Sequence, residues 1–232
     1  MVKFKKYLII LFEYYNSLPK LTESSSLSCK PFANLVFLNV MQLWKLQLHS
    51  HKETLQHKMK NIDIRKVTLN DIDQLQKIGK QTFSETFSGD NSEEDMKKYL
   101  DEHFSIEKLT NELQNPDSEF YFAVLDSTVI GYLKLNFGES QTELKDSKAL
   151  EIERIYVPKK YHGQRVGQVL YEKAIQVARN KNADYVWLGV WEENHRALSF
   201  YKKNGFAEFD KHIFRLGNDE QTDIMMKLQL KA

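Results

Sequence analysis

The pattern along this 232-residue chain predicts a mixed α/β domain preceded by an N-terminal extension. Three observations lead there. From Ile62 onward, strand-like alternation and helix-like spacing of apolar residues follow one another to the C-terminus. Before Met59 neither period is sustained. No segment repeats another, so the ordered part reads as one domain of roughly 170 residues.

Its elements can be taken in order. Residues 62–67 alternate like a strand. A helix follows from a cap at Asn70 or Asp71 to about Thr86, with Ile72, Leu75, Ile78 and Phe83 on one face. Two short polar helices are expected at 92–102 and 105–114, closed by Asn115-Pro116. Residues 120–125 and 128–136 form a hairpin turning at Asp126-Ser127. A strand at 150–157 is stopped by Pro158, which cannot donate to a ladder. Then come a helix at 165–181, a strand at 185–190 and a helix at 195–203 ended by Gly205. Strands near 206–215 and 221–229 bring the sheet to about seven.

Residues 1–58 differ. A serine run, Ser24 to Ser28, lies in their middle, and Pro19 and Pro31 interrupt them. Residues 34–48 are more apolar and fit a helix or a strand. The segment is either a leader upstream of a functional start at Met59 or an appended arm. Its charge also differs, with eight lysines against three glutamates, while the whole chain is +1 and the remainder therefore −4.

A composition of 41% hydrophobic and 28% charged residues fits a globular protein, and the near-zero net charge argues against binding nucleic acid or an anionic membrane. Cys29 is the only cysteine, which excludes an intramolecular disulfide and fits a reducing cytoplasm. The opening MVKFKKYLIILFEYY is basic then apolar, but Glu13 cuts the run and no cleavage site follows. No stretch reaches the roughly 20 apolar residues a bilayer requires. The histidines show no metal-ligand spacing, so no metal is expected.

The stretch LEIERIYVPKKYHGQRVGQVL, 150–170, reads strand, tight loop, helix. Gly163 and Gly167 flank a helix start, where backbone N–H groups lack intrahelical partners and the positive helix end favours phosphate. Lys159, Lys160 and Arg165 add positive charge. Taken alone, this is an anion-binding strand–loop–helix or ordinary turn chemistry. It lacks the Gly-Lys-Ser/Thr of a P-loop and the dinucleotide fingerprint. A second constellation, WLGVWEENHRALSFYKKNGF, 187–206, gives a buried strand and a helix capped by Asn194.

Together the two stretches resemble the GNAT superfamily of N-acetyltransferases. In that family an aliphatic-x-V-P strand end leads into R/Q-x-x-G-x-G/A, and N-x-x-A-x-x-F-Y-x-x-x-G-F follows further on. Here the first corresponds to Ile155-Tyr156-Val157-Pro158 and then His162-Gly163-Gln164-Arg165-Val166-Gly167, with Gln168 after it. The second is met by Asn194, Ala197, Phe200, Tyr201, Gly205 and Phe206. His162 stands where Arg or Gln is usual, and Arg165 where a glycine is usual. The resemblance covers 62–230 and is nearest to the PaiA-type spermidine/spermine acetyltransferases. It implies a GNAT fold, a mixed and mostly antiparallel sheet flanked by helices. It also implies acetyl-CoA as cosubstrate, with Ile155, Tyr156, Val157, the loop 162–168, Asn194 and Tyr201 beside it.

Acetyl transfer from a thioester needs a neutral amine, although alkylammonium groups titrate near roughly 10. Glu151 and Glu153 share a strand face, and either is a candidate base, directly or through water, or a solvated strand residue. The resemblance puts a backbone N–H near Tyr156 or Val157 at the developing oxyanion. Tyr201 is the candidate acid for the leaving thiolate, against a role as a core aromatic. For the acceptor, Glu85, Asp90, Glu93, Glu94, Asp95, Asp101 and Glu102 form an acidic run suited to a polycation or simply to solvent. Trp187 and Trp191 line the slot or fill the core. The expected acceptor is a small primary amine such as spermidine or spermine. Alternatives are a silent CoA- or polyamine-binding regulatory module, or an enzyme acting on protein amines or aminoglycosides. A homodimer is left open.

Overall fold

The computed structural model describes residues 62–89, 91–216 and 219–231, with Gln42 and Leu46 besides. The reading of 1–58, those two residues apart, lies outside the described residues. The strands and helices of the sheet domain all belong to the unit Leu55–Ala232.

β1 (Asp63–Lys66) leads through a short 3-10 turn, Leu69–Asp71, into α1 (Ile72–Phe87). Asp71 stands at the N-cap, but its side chain points back rather than capping α1. It accepts two hydrogen bonds from Arg65, at 2.9 and 2.8 Å, and others from Thr68. α2 (Glu93–His103) and α3 (Ile106–Gln114) are each capped by a serine hydroxyl. Ser92 accepts from the Asp95 N–H and Ser105 from the Lys108 N–H, satisfying donors that a helix start leaves orphaned.

β2 (Ser118–Leu125) and β3 (Thr128–Phe137) form the expected hairpin. Its two-residue turn has φ 48° at Asp126 and 63° at Ser127, the paired left-handed residues of a tight hairpin. β4 (Ala149–Tyr156), α4 (Val166–Asn180), β5 (Tyr185–Trp191) and α5 (His195–Lys203) follow. Gly205, at φ 89°, turns the chain out of α5 into β6 (Ala207–Leu216) and β7 (Asp219–Gln229).

The seven strands form one sheet in the order β1-β2-β3-β4-β5-β7-β6. Every neighbouring pair is antiparallel except β4 and β5. α4 covers one face by burying Val166, Leu170, Ala174, Val177 and Ala178 against Tyr121, Ala123, Leu133 and Ile152. Each large aliphatic side chain removed from water here contributes roughly 1.5–3 kcal/mol. α1 and α3 cover the other face, with Leu75, Ile78 and Leu109 packed on Phe120, Phe122 and Tyr132. The seven-stranded mixed sheet is therefore as the sequence predicts, and element ends fall close to the expected positions.

Two irregularities open the middle of the sheet. Between Lys134↔Arg154 and Leu135↔Ile152 the β3–β4 register skips Glu153, so β4 carries a bulge there. The parallel β4–β5 pairing covers only Ala149↔Tyr185 to Glu151↔Trp187. Both strands continue beyond it, to Tyr156 and Trp191, so they part.

Candidate active site

Where β4 and β5 part, the sheet opens into a cavity of about 590 Å³. Past Glu151, β4 has no partner on that side, and backbone polar groups of its edge face the opening. Glu151, Glu153, Ile155, Tyr156, Asn194 and Tyr201 all line the cavity. Residues far apart in sequence are thus brought to one place by the splay.

Glu151 is buried and accepts three protein donors. The Thr142 hydroxyl lies 2.5 Å away, the Thr142 N–H 2.9 Å and the Asn136 amide 3.0 Å. Burial pushes its carboxyl above the usual range, against the pull of Thr142. Glu153 has the opposite environment. Burial disfavours its charge, but Arg154 and Lys134 overcompensate and hold it at about 2. Lys134 Nζ is 2.6 Å from Glu153 and 3.0 Å from Glu112, and Arg154 is 2.9 Å from Glu153. The Asn136 amide also reaches Glu153, at 2.5 Å, so one side chain donates to both glutamates. The bulge brings Arg154 beside Glu153 at this knot.

Tyr201, on α5, is 5% exposed and packs against Phe200 and Phe206. Among the described residues no group hydrogen-bonds its hydroxyl, and burial pushes its pKa up, so it stays protonated at neutral pH. Asn194 caps α5 by accepting the Ala197 N–H at 3.1 Å. Trp187 is core, its indole donating to Gln141 at 2.7 Å, yet its edge reaches the cavity. Trp191 is half-buried beside Phe87. Phe83 stacks on Tyr99 with centroids 4.4 Å apart, and Tyr99 on His103 at 4.1 Å, making an aromatic wall opposite the carboxylates.

The loop 162–168 does not line this cavity but continues from the end of β4. Arg165 adopts φ 64°, the left-handed conformation a glycine takes freely, so substitution for the usual glycine preserves the turn at a local conformational cost. Among the described residues the N–H groups of Val166 and Gly167 find no backbone acceptor, and a Cβ added at Gly163 or Gly167 would meet nothing within 4 Å. This is a cradle for a polyanion at a helix start, and it fits the pyrophosphate of coenzyme A. Some side chains there are engaged elsewhere. Val166 is core, Gln164 donates to the Lys160 carbonyl, and Gln168 to Glu172 and Asn204. His162 contacts the Val157 carbonyl at 2.6 Å and Arg196 on its other nitrogen. Those side chains are thus engaged within the protein, whereas the Val166 and Gly167 N–H groups are not engaged by a backbone acceptor among the described residues.

The acidic run reads differently in the structure. Among its described members, none lines the cavity. Glu93, Glu94 and Asp95 occupy the first turn of α2, where they favour the helix dipole. Glu85 accepts the Lys159 N–H at 2.6 Å, and Asp101 pairs with Lys80. The acids that do line it are Glu112, Glu143, Glu151, Glu153 and Asp223. Three of these do not stand out in the sequence. Asp223 alternates with Gln221 and Met225 on one strand face, and with a polar residue beside it nothing in that pattern marks it out.

Comparison with known proteins agrees with this geometry. The family described as acetyltransferase (GNAT) matches residues 80–206. An N-acetyltransferase of Lactobacillus delbrueckii, itself uncharacterised, is 41% identical over 172 residues, 74% of this chain and 99% of that protein. A spermidine N(1)-acetyltransferase of Thermoplasma acidophilum is 31% identical over 154 residues, 65% of this chain and 91% of that protein. The crystal structure of the PaiA N-acetyltransferase from Thermoplasma acidophilum with coenzyme A superposes with a TM-score of 0.61 at 29% identity. It covers 72% of this chain and 98% of its own. With a parted β4–β5 pair, a phosphate cradle and these relatives, the chain belongs to the acetyltransferase (GNAT) family and is an acetyl-CoA-dependent N-acetyltransferase.

Proposed function

We propose that residues 59–232 form the catalytic domain and that its acceptor is a small primary amine of the polyamine class, acetylated in the cytoplasm by direct attack on the thioester. One observation carries this reading. Among the described residues, the cavity is lined by Glu112, Glu143, Glu151, Glu153 and Asp223 against Lys108, Lys134 and Arg154 as the strong bases. An excess of carboxylate facing an aromatic wall favours an alkylammonium over an anion. The Thermoplasma relative named as a spermidine acetyltransferase supports the same class.

In this reading the phosphates of acetyl-CoA rest on the N–H groups of Val166 and Gly167, and Ile155, Tyr156, Val157 and Asn194 flank the arm that enters the cleft. A free N–H at the unpaired edge of β4 stabilises negative charge on the carbonyl oxygen. Tyr201, protonated and without a competing hydrogen-bond partner among the described residues, gives its proton to the departing sulfur. Glu153 is held ionised by its cations and shapes the charge of the wall. Glu151 is the one of the pair poised to exchange a proton, and its three donors restrict it to acting through water.

Thiol release from acetyl-CoA, measured across spermidine, spermine, an aminoglycoside, a lysine peptide and peptides with free N-termini, tests the acceptor. Polyamines should give the highest kcat/KM. A preference for a peptide or aminoglycoside would replace the polyamine reading, and no release with any amine would favour a binding module.

A further inference from the structure

The carboxylate best placed to meet the amine is on neither β4 position. Asp223 lies on β7 directly across from Trp191, at the end of β5 where the cleft is open, and it lines the cavity with Tyr201. It is half-buried, and among the described residues no donor or cation pairs with it. Gly189, two residues before Trp191 on β5, presents no side chain beside it. A Cβ there would stand 3.4 Å from Asp223 Oδ2. The missing side chain leaves a slot between Asp223 and the parted strands.

The groups facing Asp223 come from four directions. His212 is its partner across β6 and is itself 3.4 Å from Glu143, which precedes β4. Tyr99 from α2 and Tyr156 from β4 both feel its charge. None of these neutralises it by contact. Burial, eased by His212 and reinforced by Glu143, raises its carboxyl to about 6. By contrast, Glu151 is saturated by three donors and Glu153 by two cations.

We infer that Asp223 is the catalytic carboxylate that receives the acceptor's ammonium and removes its proton. The inference rests on the proposal that the acceptor is an alkylammonium. The ammonium gives one proton to Asp223, which later releases it to solvent. The neutral nitrogen then forms a bond to the acetyl carbon as the carbon–sulfur bond breaks. Tyr201 delivers its proton to sulfur and is restored, through solvent, by the nitrogen's second proton, so the N-acetylated amine, free thiol and one solvent proton result. A carboxyl titrating near 6 is ionised at neutral pH yet basic enough to share the proton.

The test is Asp223→Asn, assayed by thiol release with the best amine of the wild-type enzyme, alongside calorimetry with acetyl-CoA. Turnover should fall about 10²–10⁴-fold, with acetyl-CoA affinity kept. The acid limb of kcat/KM near pH 6 should vanish. A weakly basic amine that is already neutral at the assay pH should lose far less. Asp223→Glu should recover part of the rate, a result that a packing defect would not produce. The carboxyl's pKa is raised in the folded state, so its charge opposes folding above pH 6, and the Asn variant should melt no lower than wild type. Unchanged turnover, a retained acid limb or equal losses for basic and neutral amines would overturn the assignment. Failure of the wild-type enzyme to acetylate any amine would instead overturn the reading beneath it.

Discussion

The two ends of the cleft are built on different principles. At the proposed cofactor end, recognition would use backbone: a strand end, a left-handed residue at 165 and a helix whose first N–H groups have no backbone acceptor among the described residues. At the proposed acceptor end it would use side chains from α1, α2, α3, β3, β4, β5, β6 and β7, together with the segment before β4. Backbone recognition must be encoded contiguously, because the turn and the helix start have to be neighbours in the chain. Side-chain recognition needs only that the fold bring residues together. The first is therefore written as a motif and the second is not.

The largest difference should appear at Tyr201, where the two ends meet. Its ring fills a pocket between Phe200 and Phe206, but its hydroxyl has no structural partner among the described residues. Tyr201→Phe should keep the fold and acetyl-CoA affinity while turnover falls about 10²–10⁴-fold. The loss should shrink with a leaving thiol of lower pKa, which needs less protonation. Near-wild-type turnover would leave Tyr201 as a core aromatic alone.

Stability should separate the two ends next. Lys134 is buried between Glu112 and Glu153, and Lys134→Met leaves both carboxylates facing only Arg154 at close range and more distant Lys108. Removing one partner of a buried ion pair costs about 3–5 kcal/mol. The melting temperature should fall by roughly 10 °C. A drop within error would mean that this knot is a relaxed surface pair.

The legibility of the site follows the same division. The strand and helix order from 62 to 230, the hairpin turn at Asp126-Ser127 and the cap at Asn194 are all visible locally, because each depends on near neighbours in sequence. The pairing of Glu151 and Glu153 on one face is visible from alternation. Their opposite electrostatics are not, because Lys134 and Thr142 come from elsewhere and the bulge at 153 has no sequence mark. Proximity in sequence also misleads. Glu85 and the acids of α2 look like an acceptor surface but serve a loop contact, a helix start and a surface pair. Asp223, far down the chain, does reach the cavity.

The cofactor end should respond to backbone access more than to charge. Gly167→Val adds a side chain in open space, and valine is no worse than glycine within a helix, so folding should be unaffected. A bulky group there should deny one charge-assisted N–H contact, worth about 1.5–3 kcal/mol. Calorimetry should then show acetyl-CoA affinity lower by about 10–100-fold, with the amine preference unaltered. Unchanged affinity in a folded variant would remove this helix start as the phosphate site.

The smallest effect should come from the largest deletion. Among the described residues, the elements of both ends lie between Asp63 and Gln229, and so do the residues that line the cavity. The Lactobacillus relative is matched over 99% of its own length by 172 residues of this chain, leaving some 60 residues of the chain without a counterpart in that alignment. A chain beginning at Met59 should therefore keep its melting temperature, its acetyl-CoA affinity and its turnover. The deletion removes a segment of net charge +5 from a domain of net −4, so any change should be confined to salt-dependent association with the cationic amine. Measuring KM for spermidine with and without residues 1–58, at low and high salt, isolates that term. A large fall in melting temperature or kcat would make the segment an arm that the catalytic domain depends on.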